Sequence, residues 1–473
     1  MPSQTYDIAI IGAGTAGLAA LRETKRHTDN FVVINDGVYG TTCARVGCMP
    51  SKALIECANA YHRREAFAEL GIRGADSITV DIAQVLERVR RLRDRFTKDI
   101  VAITSKLGDR NMTGRARFLA PDTLEVNGTR LSARKIIIAT GSRPIVPPEW
   151  SAFGARVLTS DTIFEQPSLP QSIGVIGMGS VGTELAQALA RLGIHVSAFG
   201  AKHHVAGLSD DHINEVLVAR LRNEMDLTLG HRATLEHSDA GKVRVSAGDT
   251  SVVVDCVLAA LGRRPNIDDL GLENLGLALG PDGMPPFHSN TRQIGDLPIY
   301  IAGDAADEFP VLHEASDDGY IAGTNATRDH AIGFQRRAPL AIVFCDPNAA
   351  VIGTPFSQLD PARIAIGAVS FQKQGRATLA AENHGALRVY GSREDGRLLG
   401  AELCAPRGEH LAHLLALAIA QRLSVQDMLR MPFYHPVFEE GLRTALRELS
   451  RELGMHRQSD LANCNPVGAS ALD

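Results

Sequence analysis

The chain has 473 residues, 44% hydrophobic and 22% charged, with a formal net charge of −5. That length allows two to four ordinary domains, and the charge provides no global basic field for nucleic acid or a membrane surface. Abundant glycine (44 residues) with only 5% aromatics fits a nucleotide-binding α/β protein better than a β-sandwich.

The opening MPSQTYDIAIIGAG carries no Lys or Arg before Arg22 and sets Asp7 ahead of the apolar run, so it does not read as a signal peptide. The run 8–21 is too short and too Gly-rich to span a bilayer. A soluble, cytoplasmic protein is expected.

DIAIIGAGTAGLAALRETKR (7–26) predicts a buried strand, a Gly-rich turn and an amphipathic helix, with a second strand at FVVIN (31–35). Gly12, Gly14 and Gly17 form G-x-G-x-x-G. The first permits the tight turn, the second lets a pyrophosphate approach the backbone, and the third lets helix pack on strand. The helix N-terminus then offers free N–H groups and partial positive charge to the phosphates.

GTTCARVGCMPSK (40–52) places Cys43 and Cys48 five positions apart. By spacing alone they are a redox pair, half a metal site or two unrelated thiols. The other five cysteines are scattered singly and read as bystanders. In a cytosolic chain of this size a close pair is catalytic or metal-binding rather than part of a disulfide scaffold. LERVRRLRDRFTKDI (86–100) is basic at helical spacing. It reads as a solvated helix face, with docking of an acidic carrier domain as its other use.

KIIIATGSRP (135–144) and CVLAALGRRPN (256–266) are short apolar strands, each ending in a Gly-containing turn. Between them the first pattern recurs: SIGVIGMGSVGTELAQALARLGIHVSAFG (172–200) supplies Gly177, Gly179 and Gly182, a helix and a strand. Two dinucleotide folds in one chain predict one flavin and one nicotinamide with electrons passing between them. The same number of residues separates Gly12 from Asn35 and Gly177 from Gly200. That position usually carries the acid that holds a ribose 2′-OH. Asn35, with Asp36 beside it, can still hydrogen-bond a ribose. Gly200 offers nothing, and Lys202, His203 and His204 follow it. Missing repulsion and nearby positive charge would tolerate a 2′-phosphate, without an Arg to grip it bidentately; otherwise this is a solvated loop.

IYIAGDAAD (299–307) is a further strand, running into Gly303 and Asp304. AIVFCD, GALRVYG and the amphipathic HLAHLLALAIAQRL (410–423) predict strands and a helix in the last third. In MPFYHPVFEEGLRTALREL (431–449), Pro436 suits a first helical position and leaves His435 just outside the helix. Taken alone, His435 would be structural and Glu440 a solvated charge. The final HRQSDLANCNPVGASALD has no periodic pattern and reads as a tail, loose or ordered against a second subunit.

With GAGTAG, GTTCARVGCMPSK, IIIATGSRP, GMGSVGTE, LGRRPN, IYIAGDAAD and FYHPVFEE in this order, the chain resembles a class I pyridine nucleotide–disulfide oxidoreductase of the dihydrolipoamide dehydrogenase and glutathione reductase type. The likeness covers nearly all of residues 5–455. It implies an α/β fold of two Rossmann-like domains and a C-terminal α+β dimerisation domain. The expected divisions are an FAD domain at 1–155 and 268–340, a nicotinamide domain at 156–267 and the dimerisation domain at 341–473. FAD would lie on Gly12, Gly14, Gly17, Asn35, Asp36, Thr42, Lys52, Thr140, Gly141 and Asp304. NAD(H) or NADP(H) would lie on Gly177, Gly179, Gly182, Gly200, Lys202 and Gly262.

The resemblance also implies the chemistry. Cys43 and Cys48 form a redox disulfide, with Cys48 against the flavin and Cys43 exchanging with substrate; a helix N-terminus would favour thiolate. Lys52 pairs with Glu184 beside the flavin. His435 is the acid–base for thiol exchange and Glu440 orients it, the logic of a base held by a third group. That pair serves the other subunit, so an obligate homodimer is expected, acting on a small dithiol or disulfide or a lipoyl carrier, with no resident metal, nucleic acid or membrane.

The first expectation is dihydrolipoamide oxidation by NAD⁺. The second is an NADPH-dependent reductase of small disulfides. An electron-transfer or regulatory flavoprotein without dithiol turnover is the reading from another class. Four positions depart from the family pattern: Thr41 for Gly and Arg45 for Asn in the cysteine segment, and Asn35 and Gly200 at the two ribose positions. Arg45 could alter the approach to Cys43. The tail's single Cys464 differs from the cysteine pair of mercuric ion reductases.

Overall fold

The computed structural model describes residues 4–455; the tail from residue 456, with Cys464, lies outside the described residues. Of the five sheets among the described residues, the three largest organise the chain. The first is built on Gln4–Ile11, with Phe31–Asn35 parallel on one side and Thr129–Ile138 parallel on the other. Ile299–Ile301 pairs in parallel with Ile136–Ile138, so residues far along the chain return to the first sheet. These strands are near-continuous apolar runs because both faces are covered.

Helix α1 (Thr15–Thr24) follows the first strand and packs on α7 (Leu312–Ala326). The approach is as close as backbone allows. A Cβ on Gly319 would stand 2.1 Å from the Ala16 carbonyl oxygen. After α1 in the chain come α2 (Thr42–Arg45), α3 (Cys48–His62) and α4 (Ile82–Ser105). The basic stretch lies in α4, where Arg90 bonds the Phe164 and Gln166 carbonyls and Arg93 pairs with Glu165.

The second sheet is five parallel strands centred on Ser172–Ile176, with His195–Gly200 and Cys256–Ala259 beside it. Its helices are α5 (Ser180–Arg191) and α6 (Asp211–Arg222). A two-stranded ladder, Ser142–Pro144 with Arg263–Pro265, joins the two nucleotide folds. The third sheet is antiparallel, from Leu340–Val343 to Leu398–Ala405, with the helices Gly408–Ala420 and Glu440–Glu452 packed on it.

The C-terminal helix differs from the sequence expectation. It begins at Glu440 rather than at Pro436, and His435 and Pro436 belong to the preceding loop. The Glu440 carboxylate explains the later start. It accepts from the Val437 N–H and bonds the His435 ring, holding those residues off the helix axis.

Candidate active site

The two Gly-rich turns are built alike. Gly12 and Gly177 have φ of +110° and +102°, and a Cβ on either would lie 2.2 Å from a carbonyl oxygen of the neighbouring strand end, Ala139 or Ala260. A Cβ on Gly17 or Gly182 would lie 1.9 Å or 1.7 Å from the carbonyl oxygen of Gly12 or Gly177. At Gly14 and Gly179, by contrast, nothing lies within 4 Å. The middle glycine of each turn therefore opens on free space at a helix N-terminus, the cradle a dinucleotide pyrophosphate requires. Close by, the buried Thr140 hydroxyl has no protein partner, Gly141 adopts φ +68°, and Asp304 accepts from the Ser142 hydroxyl at 2.7 Å. These features fit FAD on the first fold and a nicotinamide dinucleotide on the second.

The ribose positions behave differently from each other. The Asn35 side chain accepts from the Ala13 N–H at 3.1 Å and donates to the Gly37 carbonyl at 3.2 Å, so it braces the turn as well as facing the ribose position; Asp36 is exposed. Gly200 ends its strand, and a Cβ there would meet the Leu229 side chain at 2.7 Å. Beyond it Lys202 is exposed, His203 lies against Gly230, and His204 pairs with Asp211 at 2.9 Å. Gly262, with φ +102°, forms the turn into the joining ladder.

Cys43 lies in α2 and Cys48 opens α3. Both are free thiols, Cys43 half-buried and Cys48 exposed. They share a hydrogen bond that splits their acidities. Cys48, receiving it, is lowered to about 7, helped by the charge of Lys52 and opposed by partial desolvation from the atoms packed around its sulfur, although the residue reaches the surface. Cys43, donating it and partly buried, is pushed well above the usual thiol range. A position at a helix N-terminus favours the same thiolate. Thr42 is the first residue of α2, and Thr41 caps it by accepting from the Ala44 N–H at 3.1 Å, which accounts for the Thr in place of Gly. Arg45 folds back over Gly40 and reaches the Val38 carbonyl. It does not line the groove that opens at Cys43.

Lys52 and Glu184 meet. Lys52 Nζ lies 2.9 Å and 2.8 Å from the two carboxylate oxygens, linking α3 of the first fold to α5 of the second. The Glu184 side chain is only 6% exposed and also accepts from the Phe344 N–H, which brings in the third domain. His435 Nδ1 lies 3.0 Å from Glu440, which also bonds Arg443. Burial opposes ionisation of Glu440, but the bonds from His435 and the Val437 N–H outweigh it and hold the carboxyl below its usual range. Neither thiol is bonded to His435, whose side chain is 79% exposed.

Sequence reading passed over Arg263, although it sits in the quoted LGRRPN. It donates to the Ser142 hydroxyl and carbonyl and to Asp161, and Ser142 in turn donates to Asp304. The two nucleotide turns are thus joined through side chains. Its signal was an Arg beside a strand-ending Gly, but its partners are over a hundred positions away and invisible to spacing.

The pyridine nucleotide-disulphide oxidoreductase model matches residues 6–319, and the dimerisation domain of the same family matches 340–446. The chain belongs to this family. Members are FAD-dependent and use NAD(P)H, and this chain carries their dimerisation domain. It is 30% identical to a dihydrolipoyl dehydrogenase of Trypanosoma brucei brucei, covering 93% of this chain and 95% of the relative. It is 29% identical to the Geobacillus stearothermophilus dihydrolipoyl dehydrogenase, covering 91% and 93%. Among solved structures, LpdA from Mycobacterium tuberculosis superposes with a TM-score of 0.81 at 25% identity, covering 94% and 99%. The HOCl-induced flavoprotein disulfide reductase RclA from Escherichia coli, as its Cu(II) complex, shares the fold at a TM-score of 0.81, with 21% identity over 94% and 99%. No helix of the described residues is long and apolar enough to cross a membrane, and no group of metal-ligating side chains gathers among them.

Proposed function

We propose that this family member is a dihydrolipoyl dehydrogenase, oxidising the dihydrolipoamide of a small molecule or carrier domain with NAD⁺. Its parts would be an FAD domain at 1–155 and 268–340, a nicotinamide domain at 156–267 and an interface domain at 341–473. It would work as a homodimer in the reducing cytoplasm. The observation that carries the reading is the placement of Cys43 in α2 and Cys48 at the start of α3, with Lys52, paired to Glu184, one helical turn behind Cys48.

FAD would be held by Gly12, Gly14, Gly17, Asn35, Asp36, Thr42, Thr140, Gly141 and Asp304, with Lys52 near its ring. The dinucleotide would lie on Gly177, Gly179, Gly182, Gly200, Lys202 and Gly262. When bound, FAD would supply two-electron chemistry linking the dithiol held by these residues to the nicotinamide.

The chain's own residues do the rest. His435 of one subunit, held by Glu440, takes the proton of a substrate thiol bound at the other subunit. The resulting thiolate attacks Cys43 of the oxidised pair; a substrate–Cys43 bond forms, the Cys43–Cys48 bond breaks, and Cys48 leaves as thiolate. The second substrate thiol then displaces Cys43 and closes the substrate disulfide. One of the two substrate protons ends on Cys43 and the other leaves through His435. The lowered pKa of Cys48 makes it the better leaving group, which favours attack at Cys43.

Reduction of NAD⁺ and NADP⁺ by dihydrolipoamide, with oxidation of NADH and NADPH by lipoamide and glutathione disulfide, tests this. NAD⁺-linked lipoamide turnover is expected, and its absence with both nucleotides ends the reading. Cys43→Ser is expected to abolish it. Gly200 and the exposed Lys202 favour a second reading, an NADPH-dependent reductase of small disulfides, which glutathione disulfide turnover would select.

A further inference from the structure

The loop before the C-terminal helix presents two side chains outward. Phe433 turns in, against the third domain's core and under the Arg443 guanidinium at 5.6 Å. At the other end Val437 is pinned by Gln374, which donates to its carbonyl at 2.7 Å, and by its own N–H to Glu440. Between these anchors stand Tyr434, 80% exposed, and His435, 79% exposed. An aromatic ring this exposed on a pinned loop invites a partner surface.

The site at Cys43 has the complementary shortfall. It opens on a groove of about 730 Å³ between α1, α4 and α7, whose wall includes Leu18, Phe96, Ile100, Ile103 and Leu312. Phe96, Ile103 and Leu312 are left exposed in the single chain. An apolar trough with exposed large side chains needs a cover before it can grip an aliphatic substrate in water.

We propose that Tyr434 of the second copy of this chain is that cover. Delivered with His435 by the same pinned loop, it closes the apolar groove at Cys43 and sets its preference for an aliphatic dithiol over a polar disulfide. This rests on the assignment of His435 to the other subunit's thiols. A ring one residue from the base meets the part of the substrate next to its sulfurs, while Phe96 and Ile103 line the chain beyond. Tyr434 is thus a specificity residue and takes no part in proton transfer.

Kinetics of the holoenzyme dimer test this. Tyr434→Ala is expected to raise KM for dihydrolipoamide by about tenfold, the effect of losing a partly buried ring, with the loss carried in KM rather than kcat. Tyr434→Phe is expected to stay near wild type, and Tyr434→Glu to do worse than Ala. The discrimination between dihydrolipoamide and dithiothreitol, which lacks the aliphatic chain, is expected to shrink in the Ala variant. The pH profile of kcat is expected to keep its shape, since His435 is intact. A KM within about twofold of wild type for both Ala and Glu overturns the proposal.

Mixed dimers separate the two assignments. One subunit carries Cys43→Ser, leaving a single redox centre, on its partner. Tyr434→Ala on the Cys43→Ser subunit is expected to raise KM, and on the other subunit to leave it low; the reverse pattern places Tyr434 in its own chain's groove and overturns the proposal. His435→Gln tested in the same two positions reports the base separately. Failure of His435 to act across the dimer is therefore distinguishable from failure of Tyr434 alone.

Discussion

The two nucleotide folds of this chain share one turn and differ at one position. Gly12 with Gly17, and Gly177 with Gly182, place backbone against backbone at nearly the same distances. At the end of the second strand the first fold has Asn35 bonded into its own turn, and the second has Gly200, which has no side chain to offer and lies against the Leu229 side chain. The phosphate-binding half of such a site is dictated by backbone geometry and repeats faithfully. The ribose half depends on a single side chain and is free to diverge.

The largest test breaks the shared turn, one fold at a time. Gly17→Ala and Gly182→Ala each force a Cβ onto a carbonyl oxygen, at 1.9 Å and 1.7 Å, a cost of about 3 kcal/mol or more. The first is expected to purify without flavin, read by its visible absorbance. The second is expected to keep its flavin and lose NADH oxidation. If both lose flavin, the two turns do not serve separate ligands.

Next is the tie between the folds. Lys52→Met leaves the Glu184 carboxylate in its buried place without a cation, a loss of about 2 kcal/mol allowing for the partial exposure of Lys52. A lower thermal midpoint is expected, with Glu184→Gln milder because the amide still bonds Lys52. A smaller effect is expected from Gly200→Glu, which adds an acid where the second fold lacks one. The Leu229 side chain must shift to admit it, and the NAD-to-NADP ratio of kcat/KM should rise by about tenfold. Smallest is Asn35→Ala, which leaves the Ala13 N–H without its acceptor and should weaken flavin retention by about 1 kcal/mol, measured by apoprotein titration.

Much of this site is readable in the sequence because the chemistry is local. Strand, turn and helix around Gly12 and Gly177 follow from consecutive residues, and the Lys52–Glu184 pair comes from motif resemblance and forms in the structure. What escapes is long-range or set by competing bonds. Arg263, Ser142 and Asp304 meet only after two domains fold. The helix start moved from Pro436 to Glu440 because a carboxylate found closer partners than helix propensity could overcome. The bond from Arg45 to the Val38 carbonyl likewise follows from the fold of its loop and not from its spacing to Cys43.

The hydrogen bond between the two thiols also sets how the enzyme counts protons. Cys43 keeps its proton throughout the physiological range, while Cys48 holds one only below about pH 7. Reducing the disulfide of this pair therefore takes up two protons per electron pair below that break and one above it. The midpoint potential of the couple should fall by about 59 mV per pH unit below the break and about 30 mV above it, the slopes for two electrons with two protons or one. The pair thus becomes a steadily weaker reductant as the surroundings acidify, with its sensitivity to pH halved on the alkaline side.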